Sequence, residues 1–258
     1  PILNPIHIPT DFETQAYAAI NKDEEVRMRS SSGGMFHAFA KWTIEQGGVV
    51  FGARFNDQWD VVHDYTETIE GIEPFMRSKY VQSRVGDTFK QAKQFLDQGR
   101  WVLYSGTPCQ IGGLKAYLKK DYEKLLAVDL ICHGVPSPKV WRKFLYEEFK
   151  SEQIRAINFK DKADGWARKQ KYTFTTANTV NRYTDNSYCK GFINKIFIRK
   201  SCYECAFRHY GAQSDIMLGD FWGVDVTFLE MFDDKGTSLV FINSSKGSIN
   251  QQYLILRK

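Results

Sequence analysis

Residues 100–132 read RWVLYSGTPCQIGGLKAYLKKDYEKLLAVDLIC. RWVLYSG (100–106) reads as a buried strand, and TPCQIGGLKAYLKK turns straight from it into a helix with Pro108 in the first turn. EKLLAVDLIC (123–132) is a second buried strand, and HGVPSPKVWRKFLYEEF leads into a second helix. Strand, helix, strand, helix in this order predicts a mostly parallel sheet whose post-strand loops gather on one edge.

Working outward, QAYAAINK (15–22) reads as a short strand and DEEVRMRS (23–30) as a polar connector. SSSGG (30–34) precedes MFHAFAKWTIEQ (35–46), which carries apolar residues at helical spacing and stops at Gly47 and Gly48. GVVFGARF and VVHDYTE form a hairpin, IEGIEPF a short helix, RSKYVQS (77–83) an extended basic-aromatic loop, and DTFKQAKQFLDQG an amphipathic helix. Beyond residue 150 the character changes. IRAINFKDK and KQKYTFTT read as antiparallel strands with DGW between them, and the polar NTVNRYTDNS precedes a helical stretch at 187–198. SDIMLGDFWG is a short buried strand with a turn, and GTSLVFINSSKG a last strand. The fold class is α/β leaning to α+β: a mixed sheet with flanking helices, a parallel strand–helix core, then antiparallel strands and a cysteine-rich turn. The organisation is a lead-in at 1–16, an α/β region at 17–150 and a C-terminal region at 151–258. Pro1 in place of Met and an ending in QQYLILRK read as the ends of a piece cut from a longer protein.

The 258 residues are 43% hydrophobic and 25% charged, an ordinary globular composition. No apolar run reaches the roughly 18 residues that span a bilayer, and no signal peptide is visible, so the expectation is a cytoplasmic protein without a membrane span. Net charge is +5 with Lys and Arg dispersed, which suits pockets for phosphate-bearing ligands better than nucleic acid. Five cysteines without a secretory context argue for metal or redox chemistry and against a disulfide framework.

Four of those cysteines fall where chemistry is expected. Cys202 and Cys205 form a C-x-x-C, which suits a zinc half-site, a redox dithiol or half of an iron–sulfur site. Cys109, in SGTPCQ, stands at a helix N-terminus as a metal ligand, a nucleophile or a buried structural cysteine. Cys132, in DLICHGVPSP, ends the next strand beside His133, which reads as a proton donor or as a partner of a loop carbonyl. Four thiols suit a 4Fe–4S cubane or a zinc ion held by cysteines alone, and their spread slightly favours the cluster. Cys189 reads as a packing cysteine. Ser30–Ser31–Ser32–Gly33–Gly34 before a helix suits a phosphate, or is a plain N-cap. Lys79 and Tyr80, with Arg77, hold phosphate or stack on a ring, or form a solvated loop. Asp220 closes a strand between Gly219 and Phe221.

SSSGGMF, RSKYVQS, SGTPCQIGGLK, VDLICHGVPSPKVW, the CYEC turn and SDIMLGDFWG, in this order, resemble the coenzyme F420 hydrogenase/dehydrogenase beta-subunit family from about residue 17 to about 245. The resemblance implies a flavoprotein with iron–sulfur clusters that moves electrons between a flavin and a flat-ring substrate such as a deazaflavin. Carried over, it makes 17–150 a flavin-binding region. FAD, or FMN, would lie near Ser31, Ser32, Gly33, Gly34, Lys79, Tyr80, Thr107 and Asp220. A 4Fe–4S cluster would sit on Cys109, Cys132, Cys202 and Cys205, with His133 catalytic. It implies a ferredoxin-type domain or subunit as partner, a small-molecule redox substrate, and leaves a homo-oligomer open. RHYGAQ (208–213) departs from a more basic run in the family pattern. The rivals are a zinc-stabilised non-catalytic interaction module and a cysteine-nucleophile transferase or hydrolase using Cys109 with His133.

Overall fold

A computed structural model describes residues 12–150, 152–167, 171–183, 186–207, 214–248 and 253–257. Its centre is the predicted parallel core: β4 (Val102–Gly106) lies between β2 (Val49–Phe55) and β5 (Leu125–Leu130), all parallel, and β9 (Ile216–Asp220) continues the set beside β5. These strands are apolar almost without interruption because both faces are covered. Alternate residues point to opposite sides. Val50, Leu103, Leu126 and Val128 pack under α2 (Met35–Glu45), while Phe51, Tyr104, Leu125 and Ala127 pack under α3 (Thr88–Asp97) and α4 (Pro108–Leu118). Each of the Val, Leu and Phe side chains among them contributes about 1.5–3 kcal/mol on burial, so the two layers hold the centre firmly.

The sheet is completed by antiparallel strands. β3 (Val61–Thr66) pairs with β2 as the predicted hairpin. On the other side β10 (Ser238–Ile242) pairs with β9, β1 (Gln15–Asn21) with β10, and β11 (Leu254–Arg257) with β1. The eight-stranded order is β11-β1-β10-β9-β5-β4-β2-β3, so it draws strands from both sides of residue 150. The mixed α/β architecture expected from the sequence is present.

A second sheet, β6 (Ile154–Asp161), β7 (Lys171–Thr176) and β8 (Val180–Tyr183), is antiparallel throughout. It is covered by α5 (Pro138–Phe149) and α6 (Ser187–Ile193) through Trp141, Phe144, Phe159, Phe174, Tyr188 and the fully buried Cys189. The Trp141 indole donates to the Trp59 carbonyl at 2.7 Å, which ties this aromatic core to the β2–β3 turn.

Four expectations change. The polar 178–187 stretch contains β8, and β11 follows the strand read as the last. The helix read over 187–198 stops at Ile193, because Lys195 adopts a left-handed φ of 59°. Its N–H bonds the Phe192 carbonyl at 2.9 Å and the Ile196 N–H bonds the Gly191 carbonyl at 2.8 Å, a Schellman ending with lysine where glycine is usual. DEEVRMRS forms a full helix, α1 (Glu24–Arg29), capped by the Asp23 carboxylate. Among the described residues no helix is long and apolar enough to cross a membrane. Residues 1–11 of the lead-in and RHYGAQ (208–213) lie outside the described residues.

Candidate redox site at the carboxyl edge of the sheet

Parallel strands deliver their post-strand loops to one edge. Cys109 stands in the first turn of α4, after β4, and Cys132 two residues beyond β5. A capping box builds the first of these corners: the Thr107 N–H donates to Gln110 Oε1 at 2.9 Å, with Pro108 following at the first helical position. The C-x-x-C turn arrives from 198–205 and is fixed at two points. Arg199 N–H donates to the Val135 carbonyl at 3.0 Å, and Gly134 is pressed so closely that a Cβ there would stand 3.4 Å from Cys202 Cβ. At its far end Phe207 lies on α4 where only Gly112 leaves room, since a Cβ would meet its ring at 2.4 Å.

The fold thus brings Cys109, Cys132, Cys202 and Cys205 into electrostatic range of one another. Burial pushes the Cys109 thiol up, the Thr107 hydroxyl at 3.2 Å eases it, and Cys205 and Cys202 push it further. Cys132 is pushed up to about 11 by burial, eased by the Gly134 backbone and raised again by the thiols of Cys109, Cys202 and Cys205. A cationic centre would reverse this mutual opposition to ionisation. Among the described residues no three His, Cys, Asp or Glu groups stand close enough to ligate one ion. His133 Nε2 lies 3.2 and 3.1 Å from the carbonyls of Phe192 and Ile193, so Nε2 carries the proton and donates there. Its ring packs edge-on against Phe192 at 4.9 Å.

The serine loop is spent internally. Ser31 Oγ accepts from the Ser78 N–H at 2.8 Å, Ser32 Oγ donates to the Thr237 carbonyl at 2.8 Å, and the Gly33 N–H donates to Ser238 Oγ at 2.9 Å. Gly33 is glycine because a Cβ would stand 2.3 Å from the Ala19 carbonyl, and Gly34 because its φ is +83°. Lys79 Nζ donates to the carbonyls of Pro74, Met76 and Arg77 at 2.9, 2.5 and 3.3 Å, so its ammonium closes its own turn. Burial pulls its pKa down to about 7. Tyr80 stacks with Phe192 at 4.6 Å, and burial followed by the nearby Asp220 carboxylate raises its phenol.

Asp220, at the end of β9, is ion-paired with Lys160 of β6, so one contact joins the two sheets. Around that pair lies a small cleft lined by Lys160, Asp161, Lys162, Trp166 and Trp222. Trp166 and Trp222 stack at 4.7 Å with planes 7° apart, and Lys160 Nζ lies 5.2 Å from the Trp222 ring centre. Trp166 also donates to the Ser31 carbonyl at 3.1 Å. Lys162 Nζ donates to the carbonyls of Arg27, Ser32 and Lys235 at 2.7, 2.5 and 2.7 Å, and burial pulls its pKa down to about 7. The serine loop and Asp220 thus each contact residues that line this cleft, through Lys162 and Trp166 and through Lys160, while Thr107 and Cys109 belong to the cysteine edge. Sequence reading missed Lys160, Lys162 and Trp166, which converge only when the second sheet docks. The one local signal was aromatic: DGW and GDFWG each carry a tryptophan beside glycine.

Residues 99–253 match the family model for the C terminus of the coenzyme F420 hydrogenase/dehydrogenase beta subunit. No curated protein matches the chain. Among solved structures it is similar to a chain of the xenon-derivatised F420-reducing NiFe hydrogenase complex from Methanosarcina barkeri, with a TM-score of 0.63 and 17% identity. That likeness covers 100% of this chain and 84% of the other, and at such identity it speaks for the fold. The family match is of another kind, since it spans more than half of the 258 residues and takes in the whole cysteine edge. The chain belongs to the coenzyme F420 hydrogenase/dehydrogenase beta-subunit family.

Proposed function

We propose that this chain is a flavin-dependent, iron–sulfur-linked oxidoreductase module that passes electrons between a flat-ring substrate and a ferredoxin-type partner. The observation that supports the reading is that Cys109, Cys132, Cys202 and Cys205 come within electrostatic range of one another at the carboxyl edge of a sheet belonging to this family, although no three of them stand close enough to share one ion. An all-thiol donor set fits an iron–sulfur cluster, and Cys109, Cys132, Cys202 and Cys205 would hold it. A flavin, as FAD or FMN, is what the family implies; the cleft beside Lys160, a nearly buried ammonium with one hydrogen-bond acceptor, Asp220, among the described residues, is too small to take its ring as it stands. With both groups bound, the flavin would exchange hydride for single electrons that the cluster relays.

The chain's own residues supply position. Lys162 holds the backbone of the serine loop, whose Ser31 and Ser32 hydroxyls and Gly33 N–H are already engaged within the fold. The Arg199–Val135 and Phe207–Gly112 contacts fix the C-x-x-C turn against α4 and the loop after β5. A nucleophilic Cys109 is not favoured, because the Nε2–H of His133 is taken by the Phe192 and Ile193 carbonyls.

The test is an anaerobic absorbance spectrum with iron, sulfide and zinc analysis after reconstitution with iron, sulfide and FAD. About four irons per chain with flavin bands are expected, as a cubane requires, and Cys202→Ser should lose the iron while the fold persists. Colourless protein with one zinc per chain, or unchanged iron in Cys202→Ser, refutes the assignment.

A further inference from the structure

The chain between α6 and the C-x-x-C turn leaves large apolar side chains in solvent beside the cysteine edge. Ile193 is 50% exposed, Ile196 74% and Tyr203 51%. Single exposed apolar residues are ordinary, whereas a cluster of them marks an interaction site. These three do cluster. The Ile196 N–H donates to the Gly191 carbonyl at 2.8 Å, which keeps Ile196 on the turn that ends α6. The Tyr203 hydroxyl donates to the Lys195 carbonyl, which draws its ring back beside Ile196. The segment is pinned to the loop that follows Cys132. Ile198 bridges Pro136, the Arg199 N–H donates to the Val135 carbonyl at 3.0 Å, and His133 holds the Ile193 carbonyl at 3.1 Å.

The same segment is basic. Residues 187–203 contain Lys190, Lys195, Arg199 and Lys200 and no Asp or Glu, and Glu204 is the first acid after them. Arg199 and Lys200 are exposed, and Arg199 is set in place by Gln82 Oε1 at 2.7 Å. The charge decides among occupants. A second copy of this chain seated here across a two-fold axis would bring the same cations face to face. An anionic bilayer tolerates both cations and apolar groups, but it adapts to what it meets. Side chains held in advance, as Arg199 and Tyr203 are, reward a partner of fixed shape by lowering the ordering cost of binding. We propose that the patch of Ile193, Ile196 and Tyr203, rimmed by Lys195, Arg199 and Lys200, docks a protein that presents carboxylates around an apolar centre, and so seats that partner against the cysteine edge. This rests on the electron-passing reading and adds where the partner lands and which sign of charge it carries. The apolar centre holds the complex, while the rim steers and orients the encounter.

The experiment titrates the purified chain by calorimetry with two probe proteins of opposite charge, an acidic plant-type ferredoxin and the basic cytochrome c. Ferredoxin should bind and cytochrome c should not, and a tenfold rise in salt should weaken the ferredoxin complex by about tenfold or more. Ile196→Ser should weaken it by about tenfold at either salt concentration, as loss of a central apolar anchor does. Lys200→Glu should act mainly at low salt and through the association rate. Both side chains lie on the surface, so circular dichroism should match wild type. Ferredoxin binding that ignores both variants, or equal binding of cytochrome c, overturns the docking site. Wild type that floats with phosphatidylglycerol vesicles while ignoring ferredoxin, or that self-associates until Ile196→Ser is introduced, overturns it in favour of a membrane or a second copy. Iron and flavin content of the reconstituted samples judges the other reading separately. Loaded protein that ignores ferredoxin removes the docking site alone; protein that binds ferredoxin through this patch but takes up neither cofactor keeps the site and removes the redox reading.

Discussion

Asp129→Asn is expected to alter how stability depends on pH rather than simply to lower it. Asp129 lies on β5, 2% exposed; its Oδ1 accepts from Ser214 Oγ at 2.7 Å, and its Oδ2 has no partner among the described residues. Burial raises its carboxyl from 3.8 to about 7, against the Ser214 hydroxyl and the Lys115 ammonium, with Asp215 adding to the rise. Between those two values the folded chain keeps a proton that the unfolded chain has released. Stability from this group is therefore fully present below 3.8 and is lost as pH rises through about 7. One unit is about 1.4 kcal/mol, so wild type should lose about 2–3 kcal/mol through Asp129 between about pH 5 and about pH 8. Asparagine exchanges no proton in this range. It keeps the Ser214 contact and leaves an N–H where Oδ2 was, at a pH-independent cost of about 1–3 kcal/mol. Urea unfolding followed by tryptophan fluorescence, on both proteins at both pH values, isolates the difference. The variant should be the weaker protein at the lower pH and gain on wild type by about 2 kcal/mol at the higher one. Stability curves that run parallel would refute a buried, proton-holding Asp129.

Gly112→Ala forces a methyl into the space of the Phe207 ring, so unfolding should become easier by about 1–3 kcal/mol; Cys205 should also be alkylated faster by iodoacetamide, and an unchanged rate would mean that Phe207 does not anchor the turn. Lys162→Met leaves three carbonyls without their ammonium and should cost about 2 kcal/mol or more. Limited proteolysis should then reach 30–34 sooner, and wild-type resistance there would show that the loop holds itself.

The parallel core was legible because β4 and β5 are unbroken apolar runs joined by a capped helix, and local rules suffice for such units. β8 was not, since Asn181 and its polar neighbours form a strand by pairing with β7 and not by burying an apolar face. β11 is four residues long and owes its state to β1. At the site, strand ends could be read, so Cys109, Cys132 and Asp220 stood out. What the side chains do there could not. The Ser31 and Ser32 hydroxyls look available in sequence, but their partners are 47 and 205 residues away. Lys160 and Lys162 look like two solvated cations on a strand, and become buried only when β6 meets β9 and the loop after α1.

The place of β1 in the sheet has a consequence for how the protein comes to be folded. Among the described residues, the strand partners of 15–21 are 238–242 and 254–257. During synthesis this first strand waits for nearly the whole chain, while β2, β4 and β5 can assemble from neighbours. Loop closure over such separations is slow. Until β10 arrives, β9 exposes an open edge to any other extended segment. Refolding should thus proceed through a species with a formed parallel core and an unpaired flank, and crowding or high concentration at that moment should favour aggregation over the last two strand additions.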